Sequence, residues 1–429
     1  MGDSAHTETP LITDFSRYSP ENTEPTDAAA VFRADVLAIA DDLSGAAEAA
    51  AALLPGCRSA RIELPTSTET LAAHNTQHDG RPALAVADLD CRNAPGAEAE
   101  RSVHATLAAR PAAKAFLKID SLLRGNVRSM LAAARPAVLA PALPPAGRTV
   151  HNGVLHVSGR PLHRSGQWSA ESAAPAATIA EALAPQRCRV ITLDVVRSGR
   201  LRETVRDCLE AGEIPLCDGE TDADLDAVVA ACADLPGVRL AGSGGLATAL
   251  GRAMPEVDGY GIEAPDSAHG LLFAIGTAEA ASAEQVRRLA TRGVQQIPLD
   301  VPVLLAQHDE SDRIARALRH SPVAVTLQSP HGVNPAHSRE IVRRLAETAA
   351  HAVRSADRPV DLVLTGGETA RRVLDALGMD ELVPLTQIHH GAVRSRTRGG
   401  TSVVTRPGSF GDADSLVRIA EHLRPATEG

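Results

Sequence analysis

The sequence predicts an α/β fold of two domains, each a mostly parallel sheet covered by helices, with an inter-domain cleft. Three observations carry this. Short apolar runs alternate with helical patterns through residues 35–253, as strand–helix–strand units require. The alternation stops in a Gly- and Pro-bearing stretch after Pro255 and restarts at Leu271. Only 2% of a chain that is 44% hydrophobic is aromatic, so the core is built from Ala, Val, Leu and Ile, which pack helices closely on a sheet.

Residues 1–33 are polar, with Pro10, Pro20 and Pro25 among many Ser, Thr and Glu, and read as a flexible arm. The first domain is expected over 34–254. Its strands fall at 35–40, 59–64, 83–88, 115–119, 149–156, 189–194 and 237–242, and its helices at 45–54, 96–109, 125–134, 176–184, 200–211, 223–233 and 245–253. Residues 255–268 read as a linker. The second domain, 269–429, is expected to hold strands at 271–275, 360–364 and 401–405 and helices at 279–292 and 368–377. No repeat has the period of a solenoid or propeller.

The formal charge of −10, without a long basic run, argues against nucleic acid as a partner. The six cysteines form no CxxC pair and no metal-ligand spacing with His, so they read as reduced core thiols of a cytoplasmic protein. No apolar run reaches the roughly 20 residues that span a membrane, and the N-terminus lacks the pattern of a signal peptide.

Ligands of open α/β sheets sit outside the carboxyl ends of strands, so the strand-to-loop junctions are the places to look for chemistry. At the first, Asp41 and Asp42 precede Ser44-Gly45 and an Ala-rich helix. Adjacent acids can divide their work, one accepting a proton or binding hydroxyls and the other capping the helix; the plain alternative is an N-cap alone. Asp88-Leu-Asp90-Cys-Arg92 ends a second apolar strand. Lys118-Ile-Asp120-Ser121-Leu-Leu-Arg124-Gly-Asn126 ends a third. Arg92 and Arg124 each suit a bidentate clamp on a carboxylate, or an Asp–Arg pair tying two loops. His156 reads as a half-buried strand histidine.

In the second domain, Thr365-Gly366-Gly367-Glu368-Thr369 joins a buried strand to a helix whose apolar face holds Val373, Leu374 and Leu377. Two glycines permit close backbone approach, and the helix start offers N–H groups and a dipole to an anion, although the GxxxxGK[ST] spacing is absent. Gly276-Thr277 and Arg406-Pro-Gly408 stand at two further strand ends. Arg406 reads either as a phosphate-facing cation or as an exposed charge.

Together these segments resemble the four-carbon acid sugar kinase family. The matching stretches are Ala40-Asp-Asp-Leu-Ser-Gly-Ala, Asp90-Cys-Arg92, Lys118-Ile-Asp-Ser-Leu-Leu-Arg-Gly-Asn126, Ala140-Pro-Ala-Leu-Pro-Pro-Ala-Gly-Arg148, Gly242-Ser-Gly-Gly-Leu-Ala247, Thr365-Gly-Gly-Glu-Thr-Ala370 and Gly408-Ser-Phe-Gly411, in the family's order. The resemblance implies an N-terminal acid-sugar domain and a C-terminal ATP domain. Asp41, Asp42, Ser44, Arg92, Lys118, Asp120 and Arg124 would line the acid site, with Asp42 or Asp120 activating the attacking hydroxyl. Gly276, Thr277, Thr365, Gly366, Gly367, Glu368, Thr369, Arg406 and Gly408 would hold ATP with Mg²⁺. The chain departs from the family pattern at Ser44, at Leu122 (a Thr in the family), at Arg406-Pro407, around Thr277 and at His389-His390.

The expected activity is therefore an ATP-dependent kinase acting on a small hydroxy-acid, without nucleic acid or membrane as partner and with a homodimer as its assembly. A dinucleotide oxidoreductase would need GxGxxG after the first strand, where this chain has Asp-Asp. A catalytically altered binding protein on the same fold is the other alternative.

Overall fold

The computed structural model describes residues 35–65, 83–111, 114–168, 171, 173–256, 264–276, 280–306, 308–329, 337–408 and 410–425. The expected N-terminal arm, half of the expected linker (257–263) and Thr277 lie outside the described residues.

The N-terminal part builds eight parallel strands. β1 (Val36–Ala40), β2 (Ser59–Glu63), β3 (Ala83–Asp88), β4 (Lys114–Lys118) and β5 (Ala137–Ala140) come before a small antiparallel excursion. That excursion is β6 (Arg148–His151), β7 (Val154–Val157) and β8 (Arg160–Pro161). The expected strand at 149–156 is in fact a hairpin. Asn152 and Gly153 both take positive φ (49° and 70°), the conformation that a two-residue hairpin turn with right-handed strand twist demands. β9 (Cys188–Ile191), β10 (Ile214–Cys217) and β11 (Arg239–Gly242) complete the set.

The C-terminal part supplies β12 (Gly270–Ile275), β13 (Gln295–Asp300), β14 (Val323–Gln328), β15 (Val360–Thr365), β16 (Glu381–His389), β17 (Ala392–Arg396) and β18 (Ser402–Arg406). The first four and β18 are parallel, while β17 runs antiparallel to both its neighbours.

The two parts share one fifteen-stranded sheet, ordered β13-β14-β12-β15-β18-β17-β16-β2-β3-β1-β4-β11-β5-β10-β9. They meet at an antiparallel seam of only two residue pairs, Glu381 with Glu63 and Leu382 with Ile62. Helices cover both faces, as the apolar runs demand: β1, β12 and β15 are buried along their whole length.

Two helices matter most for function. α1 (Leu43–Leu53) follows β1 and is buried on nearly every side, which its Ala-rich sequence permits. α2 (Gly367–Leu377) follows β15 and ends at Gly378, whose positive φ closes it with backbone bonds to Asp375 and Leu374. Of the cysteines, all but the half-buried Cys188 are buried, and all are free thiols.

Candidate active site at the domain junction

The first cluster gathers at the carboxyl ends of β1, β3 and β4, neighbours in the sheet. Asp42 is the N-cap of α1: its Oδ1 accepts from Gly45 N at 2.8 Å. The capping role therefore holds, but it occupies only part of the side chain. Arg92 spans both acids, with Nε and Nη2 each 2.8 Å from Asp41 and Nη1 and Nη2 2.8 and 3.0 Å from Asp42. Burial pushes the Asp41 carboxyl above its ordinary range, although the Arg92 charge and hydrogen bonds oppose the shift.

Asp120 is the second buried acid. Its Oδ2 accepts from Leu122 N, Arg124 N and Arg124 Nε, and its Oδ1 from Arg124 Nη2 at 2.8 Å. Burial alone would raise its pKa. The bonds from Arg124 and the charges of Arg92 and Arg124 overcome that and hold the carboxyl well below the usual carboxylate range. Arg92 and Arg124 thus do form bidentate clamps, on the protein's own aspartates.

Lys118 is buried beneath the start of α1 and pairs with Glu48 at 2.8 Å. Burial would lower the lysine, but Glu48 outweighs it and keeps the ammonium charged. Sequence reasoning did not single out Glu48, although it is the one charged residue in the helix Leu-Ser-Gly-Ala-Ala-Glu-Ala-Ala-Ala-Ala-Leu. Leu122 turns its side chain into the apolar core, while its carbonyl accepts from Trp168 Nε1 at 2.9 Å.

The second cluster lies at the carboxyl ends of β12, β15 and β18. Gly366 takes φ +97° and donates its N–H to Arg406 O across the β15–β18 register. No side chain caps α2, so its first N–H groups are available to a ligand. A methyl group on Gly276 would collide with Thr369 Oγ1, which also lies 3.6 Å from the corresponding point on Gly366. Thr365 Oγ1 is buried and has no hydrogen-bond partner among the described residues. Glu368 opens the first turn, and Gly408 stands in the turn after β18.

Arg406 is not an exposed charge. It is fully buried, with Nη1 donating to Phe410 O and to Ser415 Oγ, at 3.1 Å from the latter, and with Nε and Nη2 unpartnered among the described residues. Burial pushes its pKa down to about 10. Of the departing histidines, His389 Nε2 meets Ser415 Oγ at 3.0 Å, and His390 stacks on Phe410 with ring centres 5.1 Å apart. His156 is half-buried on β7, its Nδ1 3.0 Å from Val154 O.

The fold brings the two clusters together. A Cβ on Gly367 would lie 3.1 Å from Ser44 Oγ and would overlap Asp42 Oδ2. Ser44 Oγ is itself buried without a partner among the described residues. The start of α2 thus faces the acidic pair at the end of β1. The same helix reaches back through Arg371, whose Nη1 is 3.1 Å from Asp88 Oδ2 and whose Nη2 is 2.9 Å from Pro65 O, and through an Arg372–Asp90 ion pair.

A family described as a sugar-binding N-terminal domain matches residues 36–250, and one described as a nucleotide-binding C-terminal domain matches residues 272–416. The chain is 31% identical over 407 residues to the D-threonate kinase of Cupriavidus necator, covering 89% of this chain and 96% of that protein. It is 30% identical over 430 residues to the 3-oxo-tetronate kinase of Methylobacterium radiotolerans, covering 90% and 98%. Two crystal structures share its fold. A Salmonella typhimurium protein matches with a TM-score of 0.72 at 22% identity, covering 90% of this chain and 98% of that one. A Haemophilus influenzae protein matches with a TM-score of 0.68 at 21% identity, covering 90% and 100%. Acidic strand ends facing a glycine-opened helix start, and matches along both halves, lead to one conclusion: the chain belongs to the four-carbon acid sugar kinase family.

Proposed function

We propose that the protein is an ATP-dependent kinase that phosphorylates a hydroxyl of a small, about four-carbon, sugar acid or related hydroxy-acid. The observation that supports it most is the close approach of Gly367, at the start of α2, to Asp42 and Ser44. Phosphates resting on that helix start would be presented directly to the acid site.

The residues fit ATP. The uncapped helix start, the orphaned Thr365 and Ser44 hydroxyls and the side-chain-free surface of Gly276, Gly366 and Gly367 form a cradle for phosphate oxygens. Mg²⁺ is bound largely by phosphate oxygens and one or two carboxylates; Asp42, beside Gly367, and Glu368, in the first turn of α2, are the carboxylates that would hold it. When bound, the ion would neutralise charge on the transferring phosphoryl group.

Phosphoryl transfer asks the protein mainly for positioning and charge neutralisation. Asp42 is the better base of the two candidates. Every Asp120 oxygen is already bonded to Arg124 or to backbone N–H groups, and its carboxyl is held ionised. Asp42 Oδ2 accepts a single bond, from Arg92 Nη1, where Asp120 Oδ2 accepts three, and it turns towards the helix start that would carry the phosphates. Arg92 fixes its orientation, so the substrate hydroxyl can donate to it in line with the phosphoryl group. Glu48–Lys118 supports the floor of α1 beneath that point.

Among the described residues no helix is long and apolar enough to cross a membrane. The reading includes a cytoplasmic location and a homodimer, which fractionation and light scattering check. The main experiment incubates purified protein with ATP, Mg²⁺ and a panel of four-carbon hydroxy-acids and follows ADP release. Turnover with at least one acid is expected; release no faster than the acid-free blank across the panel refutes the reading.

A further inference from the structure

Each cation described so far at the acid site already has a carboxylate. Arg92 holds Asp41 and Asp42, Arg124 holds Asp120, and Lys118 holds Glu48. A substrate carboxylate arriving there finds these charges spent. One further arginine at the junction stands apart.

Arg148 begins β6 and is 7% exposed. Its Nη1 donates to Ser121 Oγ, in the loop that carries Asp120 and Arg124. Its Nε is buried without a hydrogen-bond partner, and among the described residues it forms no ion pair. Its guanidinium carbon lies 5.4 Å from the ring centre of Phe410, which belongs to the turn after β18 in the other domain. Phe410 is backed by His390, so a cation–π contact reaches the guanidinium from across the junction. A cavity of about 390 Å³ adjoins it, bounded also by His389, His390, Phe410, Asp412 and Arg418, the last two paired with each other at 3.0 Å.

Burying a guanidinium without a counter-charge is unfavourable, and burial lowers the pKa of Arg148 accordingly, with only the more distant Asp120 and Glu48 opposing. A ligand carboxylate would relieve that cost and satisfy the orphan donor. The phosphate-bearing helix start faces Asp42, so the reacting hydroxyl belongs at that end of the site. The Ser121 loop, with Arg148 behind it, forms the other end. A hydroxy-acid lying between them presents its carboxylate to Arg148.

We propose that Arg148 binds the carboxylate of the acid substrate and sets the preference for acids over neutral polyols; this rests on the kinase reading above. The planar fork is what suits the task, because it meets both carboxylate oxygens at once.

The test compares wild type with Arg148→Lys and Arg148→Gln, using threonate, its neutral counterpart threitol, and ATP. Binding is read by calorimetry and turnover by ADP release. Threonate affinity should fall about 10- to 100-fold, the range for a lost charge-assisted contact. The loss should appear in KM rather than kcat, while ATP affinity and the weak response to threitol stay within about threefold of wild type. Equal losses on threonate and threitol, a loss confined to kcat, or a parallel loss of ATP affinity would overturn the proposal in favour of a contact to the phosphoryl group or to the fold. If Arg148→Gln loses its cooperative thermal transition, Arg148→Lys, which keeps charge and most of the volume, decides alone. Calorimetry keeps this question separate from the kinase reading, since wild type that binds threonate without turnover fails only the latter.

Discussion

Asp88 and Arg371 form an ion pair across the domain junction, 3.1 Å between Oδ2 and Nη1, with the two side chains only 0% and 4% exposed. Asp88 ends β3 and Arg371 lies on α2, so the pair ties the helix that would carry phosphate to the sheet that would carry the acid site. Burial pushes the Asp88 carboxyl up to about 7, against the attraction of Arg371.

That shift fixes a sign. A carboxyl whose value rises on folding, here from 3.8 to about 7, contributes stability that is fully present below about pH 4 and is lost as pH rises through about 7. Urea unfolding at pH 5, 6 and 8 should show wild type losing stability over this window relative to Asp88→Asn, whose amide does not titrate. Parallel pH profiles for the two proteins would show that Asp88 stays ionised throughout.

Gly367→Ala tests the junction itself. The added methyl overlaps Asp42 Oδ2, which Arg92 holds in place. It also intrudes where a phosphate would rest. ATP affinity should drop at least about tenfold, a loss equal to one displaced charge-assisted contact, while the thermal transition stays cooperative. Unchanged ATP affinity in the folded variant removes the nucleotide from this helix start.

Asp42→Asn keeps the cap and removes the proton acceptor; it also weakens the contact with Arg92, which keeps Asp41 as its partner. A lost general base typically costs about 10²–10⁴ in kcat, with ATP binding retained. The matching change at Asp120 should act differently. It strips Arg124 and Arg92 of a buried partner, so Asp120→Asn is expected to lower thermal stability as well as activity. A kcat loss greater for Asp120→Asn than for Asp42→Asn, at unchanged stability, reverses the two roles.

Arg406→Ala leaves the Phe410 carbonyl and the Ser415 hydroxyl without their donor. The turn bearing Gly408 then loses its internal support, and ATP affinity should fall at least about tenfold, with a stability loss of about 1–3 kcal/mol for the groups left unpaired. Wild-type ATP kinetics at reduced stability would make Arg406 a purely structural residue.

The legible parts of the sequence were those where local pattern and tertiary role coincide. Val36–Ala40 is an unbroken apolar run, and Val360–Thr365 is interrupted only by the buried Asp361 before its closing Thr365, because helices cover both their faces. The Asn152-Gly153 turn was visible through its residues, yet the eight residues around it read as one strand until the positive φ angles divided them. β5 and β10, four residues each, carry too little periodicity to stand out. β16 is long but carries Pro384 in its middle and pairs with β17 through two register shifts, so no regular alternation survives.

At the candidate site the fold brings Asp41, Asp42, Asp120, Arg92 and Arg124 together, but their mutual pairing was not legible. Arg92 lies 50 positions beyond Asp42, and no local pattern records such a contact. Arg148 and Phe410 were overlooked for the same reason. Both stand in stretches that carry the family resemblance, but neither was given a role, since only the fold sets one against the other.

The two-pair seam between β2 and β16 bears on how the halves can be separated. Cutting the chain between them would strip β2 of its neighbour and leave an open row of backbone donors and acceptors next to β3. An isolated N-terminal half would then be prone to associate with copies of itself through that strand. Producing the sugar-binding half alone as a soluble reagent therefore calls for a charged or proline substitution on the outward side of Ser59–Glu63.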